Sequence, residues 1–270
     1  MNAKAWYRPG CWYPADESGY LENLNVLNMF DNASSWNAGD HMCDCMDPGG
    51  RDIQDLASNT GWCSEKKIPA PPSPRTADWN MSGVLSTEDM FTGRANFDNA
   101  DLVTTKWNLA AVTSMRHMFQ DASNVEPNTS LWNTISVNDM NQMFAGATKA
   151  NPNTSNWNTA TVTTMEAMFR DAEYAVPNTA KWNTKKVATM TEMFQGATNA
   201  NPVTSSWNTH KVEDFSHMFH DAETAGLTGE NTQKWNTAQA TTMESMFDGA
   251  QDANPNTAAW NLAAVTTMQR

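Results

Sequence analysis

His217, His220 and Asp221 stand at i, i+3 and i+4, a spacing that would set two imidazoles and a carboxylate on one helical turn around a divalent cation. The stretch "HMCDC" gathers His41, Cys43 and Cys45, and Cys63 lies further along as another soft ligand. Neither set has the paired C-x-x-C knuckles of a structural zinc site, and no third ligand recurs beside His217. The four cysteines, Cys11, Cys43, Cys45 and Cys63, all precede residue 64. Two disulfides stapling an N-terminal cap region, residues 1–70, are the expected chemistry, and they imply an oxidising compartment. For covalent catalysis the inventory is thin: no G-x-S-x-G, no P-loop, no G-x-G-x-x-G, and no cysteine beyond Cys63 to act as a nucleophile. The expectation is a protein with no enzymatic activity, no cofactor and no metal.

Bulk properties narrow the partners. There are 17 Lys and Arg against 30 Asp and Glu, a net charge of −13. That balance argues against nucleic acid, whose phosphates select Lys and Arg. Mean hydropathy is −0.61, and no apolar run approaches the roughly 18 residues of a membrane-spanning helix. The N-terminal residues lack the charged-then-apolar pattern of a secretory signal.

The elements that must position any site come from a repeat. Trp79, Trp107, Trp132, Trp157, Trp182, Trp207, Trp235 and Trp260 follow one another at steps of 25 or 28 residues. Each is followed by Asn and preceded, three residues earlier, by Thr. Met-Phe comes eleven residues after the Trp, as in Met118-Phe119 and Met168-Phe169. The two three-residue insertions, near Asn99 and Gly229, fall between Met-Phe and the next Trp, where a loop can lengthen without disturbing a core. Units ending in "QDA", "RDA" and "HDA" alternate with "AGA", "QGA" and "DGA", a double unit of 50 residues for which the sequence offers no physical need.

Periodicity divides the unit. Val162, Met165, Met168, Phe169 and Ala172 lie on one face of a 3.6-residue helix, with capping-box pairs such as Thr163 and Glu166 ahead of it. Before Trp157, Ala150, Pro152 and Thr154 alternate with Asn151, Asn153 and Ser155, the two-residue period of an extended segment. The expected fold is an α/β repeat. It is a leucine-rich-repeat-like solenoid over residues 71–270, with one short extended strand and one short helix per ~25-residue repeat. With the chain stopping before the Met-Phe expected at 271, the array reads as C-terminally incomplete.

The pattern T-x-x-W-N-T-x-x-V-T-x-M-x-x-M-F-x-x-A, recurring from about residue 74, resembles the BspA-like leucine-rich-repeat surface proteins, and within them the Mycoplasma-lipoprotein-type repeats of unknown function. The resemblance implies a solenoid and a cell-surface role in adhesion or protein binding. Pro and Thr stand where that family more often has Leu in its strand, and no lipoprotein signal is present.

Each candidate has a structural reading beside the functional one. Trp107, Trp132, Trp157, Trp182 and Trp207, with Met118, Phe119, Met168 and Phe169, are expected as structural core rather than as an aromatic ladder for ligands. The Thr column is expected inward, which leaves little for an ice-binding array. The outward Asn128, Asn151, Asn153, Asn178, Asn201 and Asn256 form the candidate binding face, because an amide both donates and accepts hydrogen bonds with glycans or peptides. The chain thus reads as a non-enzymatic interaction or scaffold module that binds a protein or glycan partner in an extracellular, cell-surface or lumenal setting. The rival is a structural subunit of a larger assembly.

Overall fold

The segment V-T-T-M-E-A-M-F-R-D-A, residues 162–172, satisfies its backbone in a way no helix can. The computed structural model describes residues 4–8, 11–15, 76, 81–95, 99 and 102–269, and here the segment is a succession of tight turns. Alternate amides close i→i+3 turns: Met168 N donates to Met165 O at 3.2 Å, and Ala172 N to Phe169 O at 3.1 Å. The amides between them leave for the next repeat. Ala167 N donates to Thr191 O at 2.8 Å, Phe169 N to Met193 O at 2.9 Å and Asp171 N to Gln195 O at 2.7 Å. An α-helix would spend every interior amide on its own i−4 carbonyl and leave none for a neighbour.

The expected helix is corrected accordingly. Ala167 (φ 49°) and Asp171 (φ 56°) take the left-handed conformation, and the same two positions recur as Gln142 and Gly146, and as Glu192 and Gly196. The proposed capping pair also dissolves: Thr163 Oγ1 donates to Asn138 O of the preceding repeat, at 3.0 Å. Among the described residues the α-helix is α1 (Gly229–Thr232), four residues long and lying in the second insertion. A hairpin of β1 (Lys4–Arg8) and β2 (Cys11–Ala15) pairs antiparallel near the N-terminus.

Successive repeats lie one upon the next. A single parallel bridge joins each pair, from Ser86 with Ser114, through Asp139, Thr164, Thr189 and Asp214, to Thr242 with Thr267. The register advances by 25 residues, or by 28 across the two insertions. The extended segments keep their expected alternation: Ala150, Pro152 and Thr154 are buried while Asn151 and Asn153 are exposed. They form no strand, because proline brings no amide to a ladder.

Threonine hydroxyls replace that missing ladder. Thr129, Thr154 and Thr179 each donate Oγ1 to a carbonyl of the following repeat at 2.8 Å, the acceptors being Asn153, Asn178 and Val203. A second column, two residues after the tryptophans, does more. Thr159 Oγ1 donates to Asn183 O at 3.1 Å and accepts from Asn183 N at 2.8 Å, so one hydroxyl serves both backbone groups of one residue. Thr159 is 1% exposed. Thr159→Val keeps the shape but strands a buried amide and carbonyl, and is expected to cost about 1–3 kcal/mol. Urea denaturation measures it, and an unchanged midpoint would show the ladder to be idle.

The core is two parallel aromatic columns. Trp107, Trp132, Trp157, Trp182, Trp207, Trp235 and Trp260 stack at centroid separations of 5.8–6.4 Å, and the inner pairs lie within 5° of parallel. Phe91, Phe119, Phe144, Phe169, Phe194, Phe219 and Phe247 stack beside them at 5.1–5.8 Å. Trp107 Nε1 donates to Thr76 O at 2.8 Å, but Trp132, Trp182 and Trp235 Nε1 have no hydrogen-bond partner, and Trp157 Nε1 reaches Thr129 O only at 3.5 Å. Burial and stacking therefore fix the column, rather than the indole N–H.

The 50-residue double unit now has a physical reason. Asp121 is left-handed (φ 57°), and its Oδ1 fills the space that a Cβ on Gly146 of the next repeat would occupy. Asp171 stands over Gly196 and Asp221 over Gly249 in the same way. An aspartate in one repeat requires glycine in the next, and the alternation keeps carboxylates from stacking directly on one another.

Candidate functional site

The outward edges of the stack are built by turns between buried anchors. Around the tryptophan, the order Thr154, Trp157, Thr159, Val162 is buried and the residues between are exposed or half-buried. Two asparagines per repeat shape these turns by capping their own backbone. Asn158 Oδ1 accepts from Ala160 N at 3.0 Å, and Asn183 Oδ1 from Lys185 N at 3.1 Å. The asparagine beside each tryptophan is thereby a local turn-former.

The predicted binding face divides. Asn128, Asn153, Asn178 and Asn256 are all exposed, and each Oδ1 accepts from the amide two residues on, Ser130, Ser155, Ala180 or Ala258, at 3.1–3.3 Å. Their carbonyl oxygens are committed to structure, which leaves the amide Nδ2 donors outward. Asn151 Oδ1 instead accepts Val176 N of the next repeat at 3.1 Å. Asn201 is exposed and lies against Gly226. Val203 occupies the next position of the Asn128 column, 44% exposed, so the amide row is interrupted.

The core candidates are where the periodicity placed them: Trp107, Trp132, Trp157, Trp182 and Trp207 are 2–4% exposed, and Met118, Phe119, Met168 and Phe169 are fully buried. Cys43, Cys45 and Cys63 lie outside the described residues, as does His41, and Cys11 is described only as backbone of β2. His217 and His220 meet edge to face with centroids 5.5 Å apart, and His220 Nδ1 is 3.6 Å from Asp221 Oδ2.

A different cluster brings ligand-type atoms together. Among the described residues, Glu88, Asp89 and His117 offer one atom each within 4.8 Å of one another. His117 Nδ1 is 3.2 Å from Asp89 Oδ1, while Arg116 Nε donates to His117 Nε2 at 3.3 Å and lies 3.9 Å from Glu88. A guanidinium already supplies the positive charge a metal would bring, and it occupies the second imidazole nitrogen. The cluster is an ion-pair network joining the first two described repeats. No sequence spacing foretold it, because its members come from different repeats.

Burial raises the Glu88 carboxyl above the usual range, reinforced by Asp89 and opposed by Arg116. Asp171 is likewise raised by burial, against the attraction of Arg170. Carboxyls raised in the folded state hold protons that the unfolded chain has lost, so their effect on stability is unfavourable above the raised values and fades as pH falls toward the ordinary carboxylate range. Thermal midpoints are therefore expected to rise as pH falls from neutrality through the raised values. Glu88→Gln should flatten that rise, and a midpoint that falls over this window would contradict the assignment.

Residues 70–179 and 169–270 each match the family model described as "Mycoplasma protein of unknown function, DUF285". No curated protein and no solved structure matches the chain. Among the described residues no helix is long and apolar enough to cross a membrane.

Proposed function

The chain belongs to the Mycoplasma family of unknown function just described, and from that premise we propose that it is a non-enzymatic interaction module. On this reading the tandem repeats form an open solenoid, akin to the BspA-like surface proteins. The solenoid displays its outward edges to a protein or glycan in an extracellular, cell-surface or lumenal setting.

One observation carries the reading: within each repeat most inward residues recur, while outward positions other than the turn-forming asparagines differ. The Thr, Trp and Met-Phe recur from repeat to repeat, and the second Thr and the Val give way only to apolar residues, Met81, Leu109, Leu262 and Ala240. The position before the tryptophan runs Lys106, Leu131, Asn156, Lys181, Ser206, Lys234. A frame that holds its spacing while its exposed side chains change is suited to recognition by an extended surface.

The amide row can be tested without disturbing the turns, because aspartate keeps the Oδ1 acceptor and loses the Nδ2 donor. Asn128→Asp with Asn178→Asp, two repeats apart, should leave the unfolding free energy in urea within about 0.5 kcal/mol. The same pair should abolish capture of the partner seen by native mass spectrometry of the endogenous protein. A stoichiometric complex that survives the substitutions would favour a structural subunit instead.

A further inference from the structure

Five of the 17 lysines and arginines of this acidic chain fall on one edge. Lys181, Lys185 and Lys186 flank Trp182, His210 and Lys211 follow Trp207, and Lys234 precedes Trp235. The five lysines are exposed and His210 is half-buried. Residues 176–191, 193–212 and 231–243, which build this edge, contain no Asp or Glu, although the exposed Glu213 and Glu230 border it. Among the described residues every ion pair involves Arg116, Arg170, His117 or His220, and none a lysine.

The groups between the lysines are donors as well. Asn183, Asn208 and Asn236 run down the middle of the edge, exposed, one per repeat. Their Oδ1 atoms are engaged by the amides of Lys185, His210 and Ala238 at 3.1, 3.2 and 3.0 Å, and His210 Nδ1 adds a contact to Asn208 Oδ1 at 2.7 Å. What remains outward is a line of amide Nδ2 donors bordered by ammonium groups. Its pitch is that of the stack, where Trp182, Trp207 and Trp235 succeed one another at 6.3 and 6.4 Å.

We infer that this edge binds a linear polysaccharide bearing sulfate or carboxylate groups, laid along the stack axis. Such a chain presents anionic acceptors at regular intervals while its hydroxyls donate to water, and in each of these repeats it meets the asparagine Nδ2 donor with at least one lysine beside it. The net charge of −13 repels it from the remaining surface and confines it to this edge. A nucleic acid is less suited, since the edge offers no exposed aromatic ring for base stacking. A second copy of the chain would bring its own net charge of −13 to the contact.

The test uses the full chain with heparin as probe, in calorimetric titration at low ionic strength and again at about 0.5 M salt, where screening removes such contacts. Saturable binding is expected at low salt and its loss at high salt. Lys186→Glu with Lys211→Glu should weaken it by at least about tenfold, while Lys149→Glu, away from the edge, leaves it unchanged. Lys186→Gln with Lys211→Gln should give an intermediate loss, and near-ultraviolet circular dichroism checks that each variant is folded. The inference is overturned by absent binding at low salt, or by equal effects of the edge and Lys149 variants. Tighter binding to single-stranded DNA than to heparin, or salt-dependent self-association abolished by the edge variants, would also overturn it. None of these outcomes decides the amide-row test, which changes no lysine and none of Asn183, Asn208 and Asn236.

Discussion

Trp157→Ala is expected to destabilise the protein by about 3–5 kcal/mol, the scale for deleting a large buried aromatic. Trp157 is 3% exposed and stacked between Trp132 at 6.1 Å and Trp182 at 6.4 Å, with Phe144 at 6.5 Å on its flank. Each repeat makes its contacts with neighbouring repeats, so a hole in the middle of the column removes both of the indole's interfaces at once. Stability in such arrays is a sum of repeat and nearest-neighbour contributions. The substitution should therefore also split unfolding into two transitions, one for each side of the gap. Urea denaturation followed by the remaining tryptophans reads both effects. Trp157→Phe keeps a ring in the stack and should lose less. Unchanged stability with lost binding would make the column a recognition ladder instead.

Gly146→Ala is the second large effect, at about 2–4 kcal/mol, from two causes that can be separated. The backbone there is left-handed (φ 69°), and the added Cβ would run into Asp121 Oδ1. Gly83 is left-handed too (φ 82°) but has nothing within 4 Å, so Gly83→Ala should show the conformational cost alone. In the double variant Asp121→Gly with Gly146→Ala, the carboxylate is gone and the overlap with it. The pair should be coupled by about 1–2 kcal/mol in the stabilising direction. Additive effects would mean that the aspartate and glycine alternate for some other reason.

Much of this was legible in the sequence because the repeat reports on itself. The fixed distance from tryptophan to Met-Phe, and insertions that avoid it, marked Trp157 and Met168-Phe169 as inward, and they are buried. The alternation of Pro152 and Thr154 with Asn151 and Asn153 marked which side was solvent. The shape of the Met-Phe segment was not legible. Val162, Met165, Met168, Phe169 and Ala172 recur at intervals of three and four, which suits a helix face and equally a run of four-residue turns. Only hydrogen bonding to a neighbour decides between them, and the neighbour is 25 residues away in the chain. The Asp and Gly alternation was visible as a pattern, but without the stack nothing placed Asp121 above Gly146.

The sequence by itself determined the period, the inward and outward positions, and the absence of charge from the core, since burial is written in residue type. The tertiary structure alone decided how the backbone is satisfied. Half of the turn amides bond to another repeat, and threonine hydroxyls stand in for a ladder that proline interrupts. Those partners are set by stacking, which brings together groups that no local spacing connects. The same stacking sets Lys186 and Lys211 at equivalent positions of successive repeats.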